Sequence, residues 1–178
     1  LNPTVNEYVA SVMNHVRNAP ANTKRSSATS PVSGSTAGST PSGPSSLNAK
    51  SSPGTIKRTE TVKVPVNAQI TSPFGVVRSG LANNQPHNGT DFGVPEGTDV
   101  AAALTGRVTF AAYDEYGGNT VRLAHNNKDQ TSYLHLSRML VKPGDLVNQG
   151  QVIGKSGNTG KWSTGAHLHW GYKTDGSW

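Results

Sequence analysis

Two imidazoles two residues apart, in Gly165-Ala166-His167-Leu168-His169-Trp170, are the first feature of this 178-residue chain with the makings of chemistry. The alternation of His with Leu168 and Trp170 predicts a β-strand, in which successive side chains point to opposite faces. His167 and His169 then share one face, and Leu168 and Trp170 share the other. At roughly 3.3 Å of rise per residue the two rings start roughly 6.6 Å apart, close enough to serve one reaction centre in different roles. A His-x-His pair alone is more often structural than chemical, so the rest of the chain must decide.

A second candidate lies upstream, in Pro86-His87-Asn88-Gly89-Thr90-Asp91-Phe92-Gly93. On a straight strand His87 and Asp91 share a face but sit roughly 13 Å apart, too far for one ion whose bonds are about 2 Å. A helix is no better, because Asn-Gly-Thr makes a poor helix interior. Asn88-Gly89 can bend the chain, so a His/Asp metal pair requires a turn or bulge there; without a metal the same residues read as a surface turn. Cysteine is absent. That rules out disulfides, Cys-ligated zinc and thiol catalysis, and leaves His and carboxylates to hold any metal. No H-E-x-x-H occurs either, so the Glu base of the commoner metallopeptidases is missing.

The elements that must position these residues begin after a long polar arm. Val5, Tyr8, Val9, Val12, Met13 and Val16 recur at helical spacing, with Thr4 and Glu7 as a capping box and Pro20 as a stop. Residues 1–20 are therefore read as the last helix of an upstream domain or as a docking helix, with His15 solvated on it. Residues 21–54, rich in Ser, Thr, Gly and Pro, read as a flexible linker. From Thr55 the pattern changes to short strands separated by turn residues. Thr61–Val66, Val100–Ala103, Gly106–Phe110, Thr120–His125, Thr131–Leu136, Leu146–Lys155 and Ala166–Tyr172 are read as strands, with a hairpin turn at Asn126-Asn127-Lys128-Asp129. Strands about every ten residues with no helix between them predict an antiparallel all-β domain over residues 55–178.

Charge narrows the partners. The net charge is +6, of which +4 lies on residues 1–60 and +2 on the remainder. No dense basic stripe interleaved with aromatics is present, which argues against nucleic acid, whereas anionic wall polymers suit a basic arm. No run of about 18 apolar residues is present, so membrane insertion is not expected. The chain opens Leu1-Asn2-Pro3 and reads as a processed product or a piece of a longer protein.

Taken together, His87-x-x-x-Asp91 in a Gly-rich bend, Tyr133-Leu134-His135-Leu136 and the Gly160–His169 segment resemble the lysostaphin/LytM-type zinc endopeptidases, which cleave peptidoglycan. Ser72-Pro73-Phe74-Gly75, Gly144–Gly154 and Gly157-Asn158-Thr159-Gly160 extend the resemblance over roughly Gln69 to Tyr172. It implies one catalytic Zn²⁺ held by His87, Asp91 and His169, with His135 and His167 as the catalytic pair. It also implies an antiparallel β fold of the duplicated hybrid motif type, with a narrow groove. Chemistry is consistent with that division, since three protein ligands leave a fourth position for water, and two imidazoles replace the missing Glu as general base and as donor to the oxyanion. His125 is read as structural or peripheral. Tyr133 is read either as a cleft residue on the face of His135 or as a half-buried sheet aromatic. The Gly-rich loop Lys155–Ser163 is read as a groove wall.

The expected function is hydrolysis of amide bonds in peptidoglycan stems or cross-bridges. The setting is a bacteriophage tail or virion lysin, with an upstream lysozyme-like or virion domain, or a secreted autolysin; both work outside the cytoplasm. Two rivals are weighed. A catalytically inert wall-binding activator of another hydrolase would show lost ligands, yet all five site residues are present. A biotinyl, lipoyl or phosphocarrier domain is suggested by Val141–Gly150, but neither a modifiable Lys nor one phosphoryl-accepting His accounts for His87-to-Asp91 beside the His-x-His.

Overall fold

The computed structural model of the chain describes residues 61–79, 84–125, 129–174 and 177; the helix and linker expected over 1–54, and Asn126–Lys128 of the expected turn, lie outside them. The described residues hold ten strands: β1 (Gln69–Ser72), β2 (Thr90–Gly93), β3 (Asp99–Ala101), β4 (Gly106–Asp114), β5 (Gly118–Ala124), β6 (Gln130–Leu136), β7 (Arg138–Met139), β8 (Leu146–Val147), β9 (Val152–Lys155) and β10 (Leu168–Lys173). Seven form one sheet in the order β1-β2-β10-β6-β5-β4-β8, and three form a second in the order β3-β9-β7. Every pairing is antiparallel, as expected from the sequence.

Two hairpins build the middle of the large sheet. Between β4 and β5 the Asp114 carboxylate accepts the backbone N–H groups of Tyr116 and Gly117, and Gly118 then takes a φ of 65°. That is turn chemistry of a familiar kind, a short acid closing a loop on its own backbone and a glycine supplying the left-handed step. The expected hairpin of β5 with β6 is present, with Val121 opposite Tyr133 and Leu123 opposite Thr131.

Departures from expectation have local causes. Thr61–Val66 buries Val62 and Val66 but forms no strand. Its backbone makes isolated bonds, Lys63 N–H to the Ala103 carbonyl, Ala101 N–H to the Pro65 carbonyl and Gln149 Nε2 to the Thr61 carbonyl, and Pro65 has no N–H with which to continue a ladder. The segment Leu146–Lys155 splits into β8 and β9 around a turn in which Gly150 has a φ of 83°. Strands β1, β2 and β7, too short or too polar to show a period, went unanticipated. Among the described residues no helix is long and apolar enough to cross a membrane.

The placement of the functional face follows from β10 and its neighbours. Leu168 and Trp170 are fully buried, as are Tyr133 of β6 and Phe92 of β2. Phe92 lies opposite Leu168, and Trp170 lies opposite both Thr90 and Tyr133, so these residues share the core face. Burying one such large side chain stabilises by about 1.5–3 kcal/mol. By alternation Asp91 and His169, paired directly across β2 and β10, belong to the other face.

Candidate metal centre

On that other face three side chains converge. Asp91 and His169 come from adjacent strands, and His87 reaches them because the chain bends at Asn88 and Gly89 before β2 begins. The Asp91 Oδ1 lies 2.8 Å from His169 Nδ1 and 3.2 Å from His87 Nε2, and those two nitrogens are 3.0 Å apart. All three residues are buried. They are a group that could hold a metal ion. Zinc held at about 2.0–2.2 Å by tetrahedral N and O ligands sets its donors roughly 3.3 Å apart, close to the observed spacing. Donor chemistry agrees with the spacing. His87 Nδ1 donates to the Pro73 carbonyl at 3.1 Å, which fixes the tautomer and leaves Nε2 with its lone pair toward the cluster.

Electrostatics point the same way. Burial alone would raise the pKa of Asp91, but hydrogen bonds and charge from His169 and His87 outweigh it and hold the carboxyl far below the usual range. For His169 burial dominates and lowers its pKa against the pull of Asp91. An ionised carboxylate and a neutral imidazole are the forms that bind zinc.

Two more imidazoles flank the triad. His135 packs with ring centroids 4.7 Å from His167 and 6.0 Å from His169. His167 Nε2 lies 3.9 Å from Asp91 Oδ1, so both histidines of β10 and its approach face the same carboxylate, as their spacing predicted. Each flanking ring is fixed through Nδ1, by His135 to the Thr159 carbonyl and by His167 to the Gly165 carbonyl, both at 2.8 Å. That arrangement leaves each Nε2 as the working nitrogen. Burial holds His135 down at about 4, so its ring is neutral across the ordinary pH range.

His135 gets there by breaking the alternation. Residues 133 and 135 of a regular strand share a face, and that would send His135 into the core with Tyr133. Instead His135 has a φ of 63°, and between Val121–Asn119 of β5 and Tyr133–Leu136 of β6 the register slips by one residue. This bulge re-aims the imidazole toward the triad, and holding a non-glycine residue in that conformation costs about 1–3 kcal/mol. Tyr133 is consequently neither a cleft residue nor half-buried. Its hydroxyl sits in the core, accepting from the Ala103 N–H at 2.8 Å and from the Thr131 hydroxyl at 3.1 Å. His125 is buried against the Thr105 carbonyl and the Thr131 hydroxyl, a structural position.

Two contacts of the site had no signal in the sequence. Arg78 pairs with Asp91 Oδ2 at 2.9 Å, on the oxygen turned away from the histidines, and this contact depends on how the loop after β1 folds back. Gly89 was expected only to bend the chain; in fact it packs against the triad. A methyl carbon added there would lie 2.5 Å from His169 Nε2 and 2.7 Å from the Trp170 carbonyl. We therefore expect Gly89→Ala to displace His169 and lower zinc affinity by at least about tenfold, read by competitive chelator titration. Unchanged affinity would contradict the packing argument.

A buried two-His, one-carboxylate cluster with two further imidazoles beside it, set on an antiparallel sheet, has the donor set of a single-zinc hydrolytic site. The chain belongs to Peptidase family M23, whose sequence pattern matches residues 85–178. It is similar to the peptidoglycan DD-endopeptidase ShyA of Vibrio cholerae, at 52% identity over 85 residues, which are 48% of this chain and 20% of that one. The chain thus spans about a fifth of the length of that relative. Among solved structures it resembles a zinc-containing peptidase from Vibrio cholerae, with a TM-score of 0.59 and 40% identity over 64% of this chain and 36% of the other. It also resembles the catalytic domain of lysostaphin from Staphylococcus simulans, with a TM-score of 0.57 and 35% identity over 61% of this chain and 81% of that one.

Proposed function

We propose that the chain hydrolyses amide bonds in the peptide part of bacterial peptidoglycan, with His87, Asp91 and His169 as zinc ligands and His135 and His167 as the proton-handling pair. The observation that carries this reading is the convergence of three buried donors within hydrogen-bonding distance of one another, beside two imidazoles tethered through Nδ1. Zinc, when bound, supplies Lewis acidity toward water and toward the scissile carbonyl. The chain's own residues do the rest. His135, neutral and with a bare Nε2, is fit to accept a proton from water, and His167 Nε2 stands where a donor can meet the developing oxyanion or the leaving amine. The names of relatives such as ShyA support the stem cross-link as the bond cut.

Arg78 has a defined place in this scheme. By holding Oδ2 of Asp91 it leaves Oδ1 to face the histidine nitrogens. Arg78→Ala is expected to weaken zinc binding about tenfold or more, the usual cost of losing a partner behind a metal ligand. Isothermal titration with zinc checks this, and an affinity equal to wild type would remove Arg78 from the site.

For the wider setting, a phage tail or virion lysin or a secreted autolysin remains our reading, with the basic arm retaining the enzyme on anionic wall polymers and acting outside the cytoplasm. The test is mass spectrometry of purified sacculi digested by the zinc-loaded chain. New amine termini in stem peptides with intact glycan are expected. Glycosidic cleavage, or equal release by metal-stripped protein, would overturn the proposal.

A further inference from the structure

Two aromatic rings stand exposed beside the catalytic pair. Tyr116, in the β4–β5 turn, and Trp162, in the loop before β10, stack with centroids 4.8 Å apart and planes tilted by 34°, yet remain 45% and 53% exposed. Their backbones hold this arrangement: Trp162 N–H donates to the Tyr116 carbonyl at 3.1 Å and Lys161 N–H to the Glu115 carbonyl at 3.0 Å, while the Lys161 and Glu115 side chains form an ion pair. Gly118 and Gly160 let the turn and the loop touch backbone to backbone, with no room for a Cβ on either. The pair is therefore a built ledge and not two stray surface aromatics.

Its position ties it to the reaction. The loop carrying Trp162 grips His135 at one end, through the Thr159 carbonyl, and His167 at the other, through the Gly165 carbonyl. The His135 backbone N–H also donates to the carbonyl of Gly117, next to Tyr116, so the ledge and the two imidazoles are built on the same turn and loop, and the ledge is within reach of a long substrate cut between those imidazoles. Apolar surface kept exposed at such a place marks a contact for a ligand.

The chemistry of the ledge narrows its occupant. Stem peptides of peptidoglycan are built from alanine, glutamate and diamino acids, which offer little apolar surface to two aromatic faces. The amino sugars that carry those stems do offer it. A pyranose presents a flat face of C–H bonds, which lies against an aromatic ring, and a rim of hydroxyl and acetamido groups, which suits the Lys161 and Glu115 side chains at the ledge border. A stem of a few residues, at about 3.3–3.6 Å each, keeps its sugar within roughly 10–15 Å of the bond to be cut.

We propose that Tyr116 and Trp162 form a sugar-stacking subsite that recognises the glycan strand next to the stem peptide being cleaved. This deepens the peptidoglycan reading and rests on it. The test compares two substrates with the full zinc-loaded chain: a cross-linked peptide dimer still bearing its sugars, and the same dimer released from sugar by an amidase. Tyr116→Ala and Trp162→Ala should each lower kcat/KM on the sugar-bearing dimer about tenfold, chiefly through KM, the scale of one aromatic stacking contact. Their loss on the sugar-free dimer should be several times smaller, and Trp162→Phe should recover most of the rate. Equal losses on both substrates would show that the rings only clamp the loop, and no loss on either would show that they touch nothing; each result overturns the subsite. Failure of the wild type to cut either dimer would instead overturn the peptidoglycan reading beneath it.

Discussion

Replacing any one of His87, Asp91 or His169 by alanine should abolish hydrolysis and lower zinc affinity by more than about a hundredfold, since losing a partner one shell further out already costs 10–100-fold. The three donors lie within 3.2 Å of one another, and a catalytic zinc with three protein ligands keeps its fourth position for the reaction, so none can be spared. Asp91 is the most sensitive of the three. It is the one carboxylate of the cluster among the described residues, and its loss also leaves the half-buried Arg78 without its counter-charge. Zinc affinity and peptidase rate measured on the same preparations decide the matter. Turnover near wild type with zinc retained, in any of the three, would remove that residue from the ligand set.

Substituting His135 or His167 should instead leave zinc bound while slowing hydrolysis by about 10²–10⁴-fold, or roughly 3–5 kcal/mol of barrier, the contribution of one positioned acid or base. The pH dependence separates these roles further. Because burial holds His135 at about 4, below the usual 6.5, a rate that needs its neutral ring declines only as pH falls toward 4. Stability moves in the same direction. Between pH 6.5 and 4 the unfolded chain takes up a proton that the folded site refuses, so the fold loses stability as pH drops, by about 3 kcal/mol for this shift. His135→Asn should flatten that part of the stability profile. A profile identical to wild type would show that His135 titrates normally.

The parts of this site that were legible in the sequence are those governed by short-range rules. Strict alternation in Leu168-His169-Trp170 placed His169 on one face and the apolar residues in the core, and the structure agrees because β10 is a regular strand paired on both sides. The bend at Asn88-Gly89 was forced by the reach of a metal bond. What the sequence hid depends on long-range placement or on a broken rule. Tyr133 and His135 were set on one face by a period of two, whereas a one-residue bulge and a left-handed φ turn His135 alone toward the site. Arg78 meets Asp91 only after a loop folds back, and no spacing along the chain encodes that contact. The division into ligands and proton carriers came from family resemblance; tethering through Nδ1 does not encode it, since His87 is held that way as well as His135 and His167.

The most direct test of the account is zinc stoichiometry in five single alanine variants, purified and dialysed side by side and measured by inductively coupled plasma mass spectrometry. About one zinc per chain is expected in wild type, His135→Ala and His167→Ala, and only traces in His87→Ala, Asp91→Ala and His169→Ala. Zinc kept in His169→Ala but lost in His167→Ala would contradict it, because the roles of the two histidines on β10 and its approach would then be exchanged.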